Sequence, residues 1–258
     1  MTADEKTSLA LFLDLAGAYT GNGYLGRGSE YRFTDDVIEP EAPVPQPSPK
    51  GEGSPLAPQP SPKGEGSPLD TDDSLAKIAE DVKACTLCRL CETRTNAVPG
   101  EGPANPVVMV IGEGPGADED ATGRPFVGRA GQLLDKMLAS IGLSRESNCF
   151  IANVIKCRPP ANRDPLPDET AFCGSFLERQ IRLLKPRFIL CAGRISAQTL
   201  LNTTEPVGKI RGKFTTLETG GRETPLIATY HPAALIRNED LKRPAWEDLK
   251  MLRAAIDS

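Results

Sequence analysis

From residue 71 onward the chain alternates short apolar runs with segments in which apolar residues recur three and four positions apart. The apolar runs predict four buried strands, at Val107–Ile111, Phe150–Val154, Phe188–Ala192 and Leu226–Thr229. The segments of helical period predict helices at Gly131–Ile141, Asp168–Leu184, Ile195–Leu201 and Ala245–Ile256. This alternation is typical of a mostly parallel sheet with helices on both faces. We therefore predict an α/β fold, a three-layer α/β/α sandwich around a mostly parallel four-stranded sheet.

In such sheets, ligands bind in loops beyond the carboxyl ends of the strands. The four predicted strands are followed by the loops Gly112–Asp120, Lys156–Pro165, Gly193–Arg194 and Tyr230–Arg237. We expect the functional side chains to lie on these loops.

The first 70 residues lack this alternation. Ten of the 24 prolines fall within Pro40–Leu69, and the sequence PQPSPKGEGSPL occurs at Pro45 and again at Pro58. Pro, Gly and Ser offer little apolar surface to offset the entropy lost on ordering, so residues 40–70 are predicted to be a disordered linker. A ligand for a proline-binding domain is the alternative. Residues 1–39 are an N-terminal extension with one predicted short amphipathic helix, and residues 71–258 are the predicted domain.

Charge divides the chain at the same place. The net charge is -5, and residues 1–70 hold 5 of the 30 Lys and Arg but 11 of the 35 Asp and Glu, which leaves 25 and 24 for the rest. The acidity therefore belongs to the first 70 residues. A near-neutral domain can still bind a polyanion if its basic side chains share one face.

The chain carries no signal for export or membrane insertion. No apolar run approaches the roughly 18 residues needed to span a bilayer, and the apolar stretch Leu9–Leu13 lies between Lys6 and Asp14 without a small-residue cleavage site. Seven cysteines, an odd number and unevenly spaced, do not fit a secreted disulfide scaffold. We expect a cytoplasmic protein with reduced cysteines and no membrane partner.

Four cysteines have a spacing that suits a metal site. Cys85 and Cys88 are separated by two residues, and two single cysteines follow at Cys157 and Cys173. Four thiolates arranged in this way hold either zinc or a four-iron cluster, and the spacing does not choose between them. Cys91 continues the two-residue spacing and is a competing ligand.

Histidine occurs once, as His231 after the fourth predicted strand. A single histidine cannot build a multi-histidine metal site, so its chemical use is proton donation or a hydrogen bond to a developing anion; a structural role is the alternative. The first loop carries Glu113 and Glu119 among its glycines. Its Pro115 and acidic residues do not suit a dinucleotide phosphate. These carboxylates could place water, contact an uncharged ring or simply favour the next helix.

Basic side chains concentrate near the second loop and around Gly212, where Lys209, Arg211 and Lys213 lie. Solvated surface charge is the default interpretation of each one. Their concentration on one predicted face makes a phosphate backbone plausible as a partner.

Taken together, these motifs resemble the family 4 iron–sulfur uracil-DNA glycosylases. The matching segments are CTLCRLCETRT from Cys85, GEGPGADEDATGRPFVGRAGQLLDKML from Gly112, NVIKCRPPANRDPLPDE from Asn153, VGKIRGKF from Val207 and YHPAALIRN from Tyr230. The resemblance implies the family's fold and an enzyme that flips uracil out of single- or double-stranded DNA, hydrolyses its glycosidic bond and leaves an abasic site. It also implies a monomeric prokaryotic enzyme; the role of residues 1–70, including any partner, is not implied.

The resemblance assigns roles to four side chains around the flipped base. Phe126 would stack on uracil, and Asn153 would donate to O4 and accept from N3–H. Glu119 would lie beside the C5 edge, where it disfavours the methyl group of thymine. His231 would hydrogen-bond O2 as the glycosidic bond breaks.

Other roles follow from the same motifs. Glu113 or the backbone at Gly114 would place the attacking water. The side chains expected to contact DNA are those of Lys209, Arg211, Leu235 and Arg237, with Leu235 filling the gap left in the duplex. Cys85, Cys88, Cys157 and Cys173 would hold a 4Fe-4S cluster with a structural role. The alternative is a non-catalytic or redox iron–sulfur protein of the same fold that binds nucleic acid.

Overall fold

The computed structural model describes residues 73–258. The predictions for the extension, residues 1–39, and for the linker, residues 40–70, lie outside the described residues. Within the described part, no helix combines the length and the apolar character needed to cross a membrane.

One five-stranded sheet organises this part of the chain. Its strands are β1 (Val108–Gly112), β2 (Cys149–Asn153), β3 (Phe188–Ala192), β4 (Phe214–Thr219) and β5 (Arg222–Thr229). They are ordered β2-β1-β3-β5-β4. The first four strands in that order run parallel, and β4 pairs antiparallel with β5. Every residue of β1, β2 and β3 is buried, because helices cover both faces of the sheet.

Helices connect the strands and extend from both ends of the sheet. They are α1 (Leu75–Ala84), α2 (Leu90–Thr93), α3 (Ala117–Thr122), α4 (Arg129–Ala139), α5 (Pro167–Leu184), α6 (Arg194–Leu201), α7 (Val207–Ile210), α8 (Pro232–Arg237) and α9 (Lys242–Asp257), with 3-10 turns at Pro160–Asn162 and Glu239–Leu241. Local chemistry sets several ends. The Ser74 hydroxyl caps α1 by accepting from the Lys77 amide. Helix α5 begins with a proline and ends at Lys185 in a left-handed conformation.

The helices form two layers. On one face α1, α5 and α6 pack against Met109, Ile111 and other strand residues of the same parity. On the other face α4, α8 and α9 pack against Val108, Val110 and their neighbours. Successive strand residues point to opposite faces, so each strand supplies both cores. The predicted three-layer α/β/α architecture is therefore confirmed.

The predicted strand count of four is one too low. Strand β4 was missed because its sequence, FTTLET, alternates between partly buried and exposed positions at the edge of the sheet. An edge strand of this kind has no continuous apolar run. The polar first half of β5 was missed for the same reason, since only its last four residues are apolar enough to predict a buried strand.

Candidate active site

All four loops at the carboxyl ends of the parallel strands meet at one cavity of about 530 Å³. That volume lies within the range of small-molecule sites. The first loop contributes Glu113 and Gly114, the second Asp164, the third Arg194 and the fourth His231. Phe126 and Asn153 also line the cavity. The parallel register of the sheet therefore brings together side chains that are far apart in sequence.

The Phe126 ring forms one wall. Phe126 is only 6% exposed, and its backbone has a φ of +52°, a conformation that bulky residues rarely adopt. Its ring centroid lies 5.7 Å from that of His231. Gly112 lies below this ring, where a Cβ would come within 2.5 Å of Phe126 Cζ and 2.4 Å of Asn153 Oδ1. A glycine is needed there so that the two side chains can occupy the floor of the cavity.

Asn153 ends β2 and is 1% exposed. Its buried Oδ1 atom has no hydrogen-bond partner in the described part of the protein. Buried polar atoms are nearly always paired, because an unpaired acceptor loses its hydration without compensation. An unpaired acceptor on a cavity wall therefore suits a ligand that brings an N–H group.

His231 caps the start of α8. Its Nδ1 accepts a hydrogen bond from the Ala233 amide, at 3.1 Å, so a neutral ring carries its proton on Nε2. Burial lowers the pKa of His231 to about 4; the nearby Arg237 charge lowers it further and Glu119 opposes the shift. The imidazole is therefore neutral near pH 7 and donates through Nε2–H.

Gly193 lets the His231 loop approach the end of β3. Its φ is +111°, and a Cβ there would lie 2.9 Å from His231 Cβ. A side chain at this position would therefore displace the histidine.

Glu119 has a structural role that the sequence analysis did not predict. One carboxylate oxygen accepts from the amides of Val127 and Gly128, at 2.8 and 2.9 Å, and the other accepts from the Gly116 amide at 3.1 Å. The carboxylate thus ties the first loop to the turn that carries Phe126. The three-residue spacing from Gly116 to Glu119, at the start of a helix, was the available signal. Glu119 also lines the cavity.

Glu113 is half-buried at the mouth of the cavity. Burial raises its pKa, the nearby Asp164 raises it further, and Arg194 opposes both. Asp164 and Arg194 form an ion pair between the second and third loops. Neither was singled out from the sequence, because an ion pair between distant loops leaves no local pattern. Gly114 lies beside Glu113, and a Cβ there would approach Ile155 Cγ1 to 2.7 Å.

The basic residues differ in what their charges contact. Lys209 and Arg237 are exposed. The Arg211 guanidinium instead makes two 2.8 Å hydrogen bonds to the wholly buried Asp248 and lies over the Tyr230 ring. It holds α7 against α9, so its charge is already paired.

The structure corrects the expectation for Leu235. A side chain that fills a gap in a duplex must be exposed, whereas Leu235 is 0% exposed and packs in the core under α8. The physical reason is helical geometry: four residues after His231, the helix turns this side chain inward.

The four candidate metal-ligating cysteines share one region. Cys85 and Cys88 lie between α1 and α2, Cys157 follows β2, and Cys173 lies in α5. All four are free thiols, and all belong to or pack against one apolar cluster. Arg94 joins the region, donating to Cys157 Sγ at 3.0 Å and to the Cys85 carbonyl at 3.0 Å.

The arrangement of these cysteines bears on which metal they fit. Within residues 73–258, no three ligating side chains converge closely enough to hold a single metal ion. Zinc needs four ligands at about 2.0–2.3 Å from one ion. The ligands of a four-iron cluster bind separate irons and do not need to converge in this way. The donor set therefore fits a four-iron cluster better than zinc.

Comparison with known proteins gives one consistent family. Residues 99–250 match the family model described as the Uracil DNA glycosylase superfamily. The chain is 43% identical over 184 residues to the type-4 uracil-DNA glycosylase of Archaeoglobus fulgidus, covering 70% of this chain and 92% of that protein. It is 44% identical over 191 residues to the Saccharolobus solfataricus type-4 enzyme, covering 72% and 88%. For the Thermotoga maritima type-4 enzyme the identity is 42% over 182 residues, covering 69% and 93%.

Proposed function

The chain belongs to the uracil-DNA glycosylase superfamily and, within it, to the type-4 enzymes, and from this membership we propose how its cavity excises uracil. It is a uracil-DNA glycosylase, a hydrolase that removes uracil from DNA in DNA repair. The roles below are our proposals for this chain.

A flipped uracil is held between Phe126 and Asn153. The base stacks on the Phe126 ring, and the Asn153 amide donates to O4 and accepts from N3–H through Oδ1. The unpaired, buried Oδ1 atom carries this proposal, because N3–H is a donor in uracil and cytosine has an acceptor at that position. A site that leaves a buried acceptor unpaired with the wrong base discriminates strongly against it.

His231 stabilises the leaving group. When the bond between C1′ and N1 breaks, N1 takes the electron pair, and negative charge spreads to O2 while the sugar becomes positive. A neutral imidazole whose Nδ1 is already occupied presents Nε2–H to O2. A fixed donor aimed at developing charge is among the strongest catalytic devices in proteins.

Water then adds to C1′ and loses a proton. Glu113 is the proposed acceptor of that proton, since burial and the nearby Asp164 raise its affinity for one. The backbone at Gly114 helps to place the water, and the product is an abasic site in single- or double-stranded DNA. No lysine lines the cavity among the described residues, so a lyase step is not proposed.

Glu119 is proposed to border the C5 edge. Its carboxylate already accepts three main-chain hydrogen bonds. Because these bonds fix it in place, it limits the room available for a thymine methyl group.

DNA is proposed to contact the exposed charges of Lys209 and Arg237 beside the cavity, with affinity that falls as salt rises. Arg211 supports this surface from below through its pairing with Asp248. The single chain supplies all the proposed roles, which supports a monomeric enzyme. The relatives are archaeal and bacterial, which supports a prokaryotic origin.

Cys85, Cys88, Cys157 and Cys173 are proposed to hold a 4Fe-4S cluster. When bound, the cluster would supply a covalent tie between the α1–α2 turn, the loop after β2 and helix α5. Nothing in the excision chemistry requires it to change oxidation state. Phe126, Asn153 and His231, gathered in one cavity, have no use in a redox or purely binding protein, which argues against those alternatives.

The direct test is release of free uracil. The purified protein is expected to release uracil from single- and double-stranded uracil-containing DNA without added metal, leaving abasic sites that alkali cleaves. The control is the same DNA with thymine in place of uracil. Absence of release from both strand forms, with the cysteine region intact, would contradict the proposed site.

A further inference from the structure

The turn Pro125–Gly128 carries Phe126 in an unfavourable backbone conformation. Glycine adopts a φ of +52° readily, but phenylalanine does so only when surrounding groups hold it. Such outliers persist where the structure over-determines them, often at functional sites. The question is therefore which groups hold this turn.

Arg145 is the main holder on the carbonyl side. Its guanidinium donates to the Pro125 carbonyl at 2.8 Å and to the Phe126 carbonyl at 2.7 Å. The Arg145 side chain is 6% exposed and pairs with Asp135 at 2.8 Å. The two carbonyls accept from one rigid fork, so their relative orientation, and with it the φ and ψ of Phe126, is fixed.

Two further contacts close the turn from other sides. Gly131 of α4 lies so close that a Cβ there would come within 1.9 Å of the Phe126 carbonyl oxygen. The Glu119 carboxylate accepts from the amides of Val127 and Gly128. An anion thus binds the amide side of the turn, and a cation binds its carbonyl side.

We propose that Arg145, oriented by Asp135, is a positioning residue for uracil binding: it holds the strained Phe126 turn so that the ring faces His231 across the base site. Arg145 does not line the cavity and acts only through the turn. The inference rests on the stacking role proposed for Phe126.

The chain offers a matched control at the other end of the sheet. Arg222, at the start of β5, donates to the consecutive carbonyls of Lys185 and Pro186, at 2.8 and 3.2 Å. Lys185 also has a left-handed backbone, with a φ of +46°. Arg222 therefore performs the same bridging of a left-handed turn, but at the amino end of β5, far from the cavity.

The experiment compares Arg145→Met with Arg222→Met in the full chain. Free uracil is the probe, as a competitive inhibitor, and KM and kcat are measured on single-stranded uracil-containing DNA. Base–aromatic stacking is strong enough that misplacing the ring weakens uracil inhibition and raises KM on the order of tenfold, with a smaller change in kcat. Arg222→Met changes neither inhibition nor KM, although both variants unfold at lower temperature.

A double variant separates positioning from general destabilisation. With Phe126→Ala already present, Arg145→Met is expected to change KM by less than about twofold, because the ring it positions is gone. An undiminished effect in that background, or equal effects of Arg145→Met and Arg222→Met, would overturn the inference. If Phe126→Ala alone leaves uracil inhibition unchanged, the stacking role itself is wrong and the inference falls with it.

Asp135→Asn keeps the proposal testable if Arg145→Met does not fold. It leaves the guanidinium in place but removes the charge that orients it, so uracil inhibition weakens in the same direction by about threefold. Unchanged inhibition in Asp135→Asn would contradict the proposal.

Discussion

The base cavity and the four-cysteine region contain parts of the same loop, yet they are completed in different ways. Asn153 ends β2 in the cavity, and Cys157 follows four residues later in the cysteine region. In the cavity, protein groups hold one another in place, and an unpaired Asn153 oxygen remains on its wall. In the cysteine region four free thiols gather with little protein chemistry between them beyond the Arg94 contact with Cys157. The cavity is organised by the chain itself, whereas the cysteine region suits completion by an added group.

A buried lysine connects the two regions. Lys156, 1% exposed, donates from Nζ to the Asn153 carbonyl at 2.9 Å and to Gln180 Oε1 at 2.7 Å. Gln180 in turn donates to the Pro99 carbonyl. Damage to the cysteine region is therefore expected to reach the cavity, but only as a secondary effect.

The largest effect is expected from His231→Ala. Removing the donor to O2 should slow single-turnover uracil release by about 10²–10³-fold, the usual effect of losing one such donor. Thermal unfolding and visible absorption should match those of the unchanged protein. A rate within threefold of the original would show that the leaving group is stabilised elsewhere.

Asn153→Asp tests recognition in the same cavity. Uracil release should fall on the order of 100-fold, because the amide donor to O4 is lost. A protonated carboxyl at this position matches the edge of cytosine, so slow cytosine release should appear at acidic pH. The assay is chromatographic detection of both free bases, and an unchanged preference would assign recognition to another residue.

Cys85→Ala tests the other side of the comparison, with Cys91→Ala as its matched control. Both residues are partly buried and lie in one short segment, but only Cys85 is a proposed ligand. Cys85→Ala should abolish the brown visible absorption and lower the unfolding midpoint by about 10 °C, the shift that ~3 kcal/mol produces in a domain of this size. Cys91→Ala should keep its colour. A colourless protein containing zinc would overturn the cluster.

The smallest effect concerns pH. Because burial lowers the pKa of His231 to about 4, from an ordinary value of 6.5, the ring is neutral across the neutral range. Single-turnover rates should therefore not decline as pH rises from 6.5 to 8.5, whereas an enzyme using a protonated imidazole would lose activity there. Glu113→Gln provides the control that removes the carboxylate limb on the acid side.

The sign for stability is opposite to that for a histidine in an ion pair. As pH falls from 6.5 to about 4, the unfolded chain binds a proton at His231 and the folded chain does not. The free energy of unfolding should therefore decrease over this window, and less so in His231→Ala, as denaturant titrations can measure.

The sequence was informative where one strong local signal sufficed. Continuous apolar runs predicted the parallel strands, and the rule about their carboxyl ends predicted which loops meet at the cavity. Strand β4 was missed because an edge strand buries only part of one face.

Side-chain partnerships could not be predicted in the same way. Arg211 and Asp248 are 37 residues apart, and Arg145 contacts a carbonyl 20 residues away. Nothing in the local sequence shows whether a basic side chain is paired or free to meet DNA. The burial of Leu235 likewise depends on how α8 packs on α4, which its motif does not encode.

The most direct test is a crystal structure of the protein bound to uracil-containing DNA, with a non-hydrolysable sugar at the target nucleotide. The account predicts a flipped uracil stacked on Phe126, with Asn153 at O4 and N3 and His231 Nε2 at O2. A uracil bound outside this cavity, or inside it with O2 turned away from His231, would contradict the account.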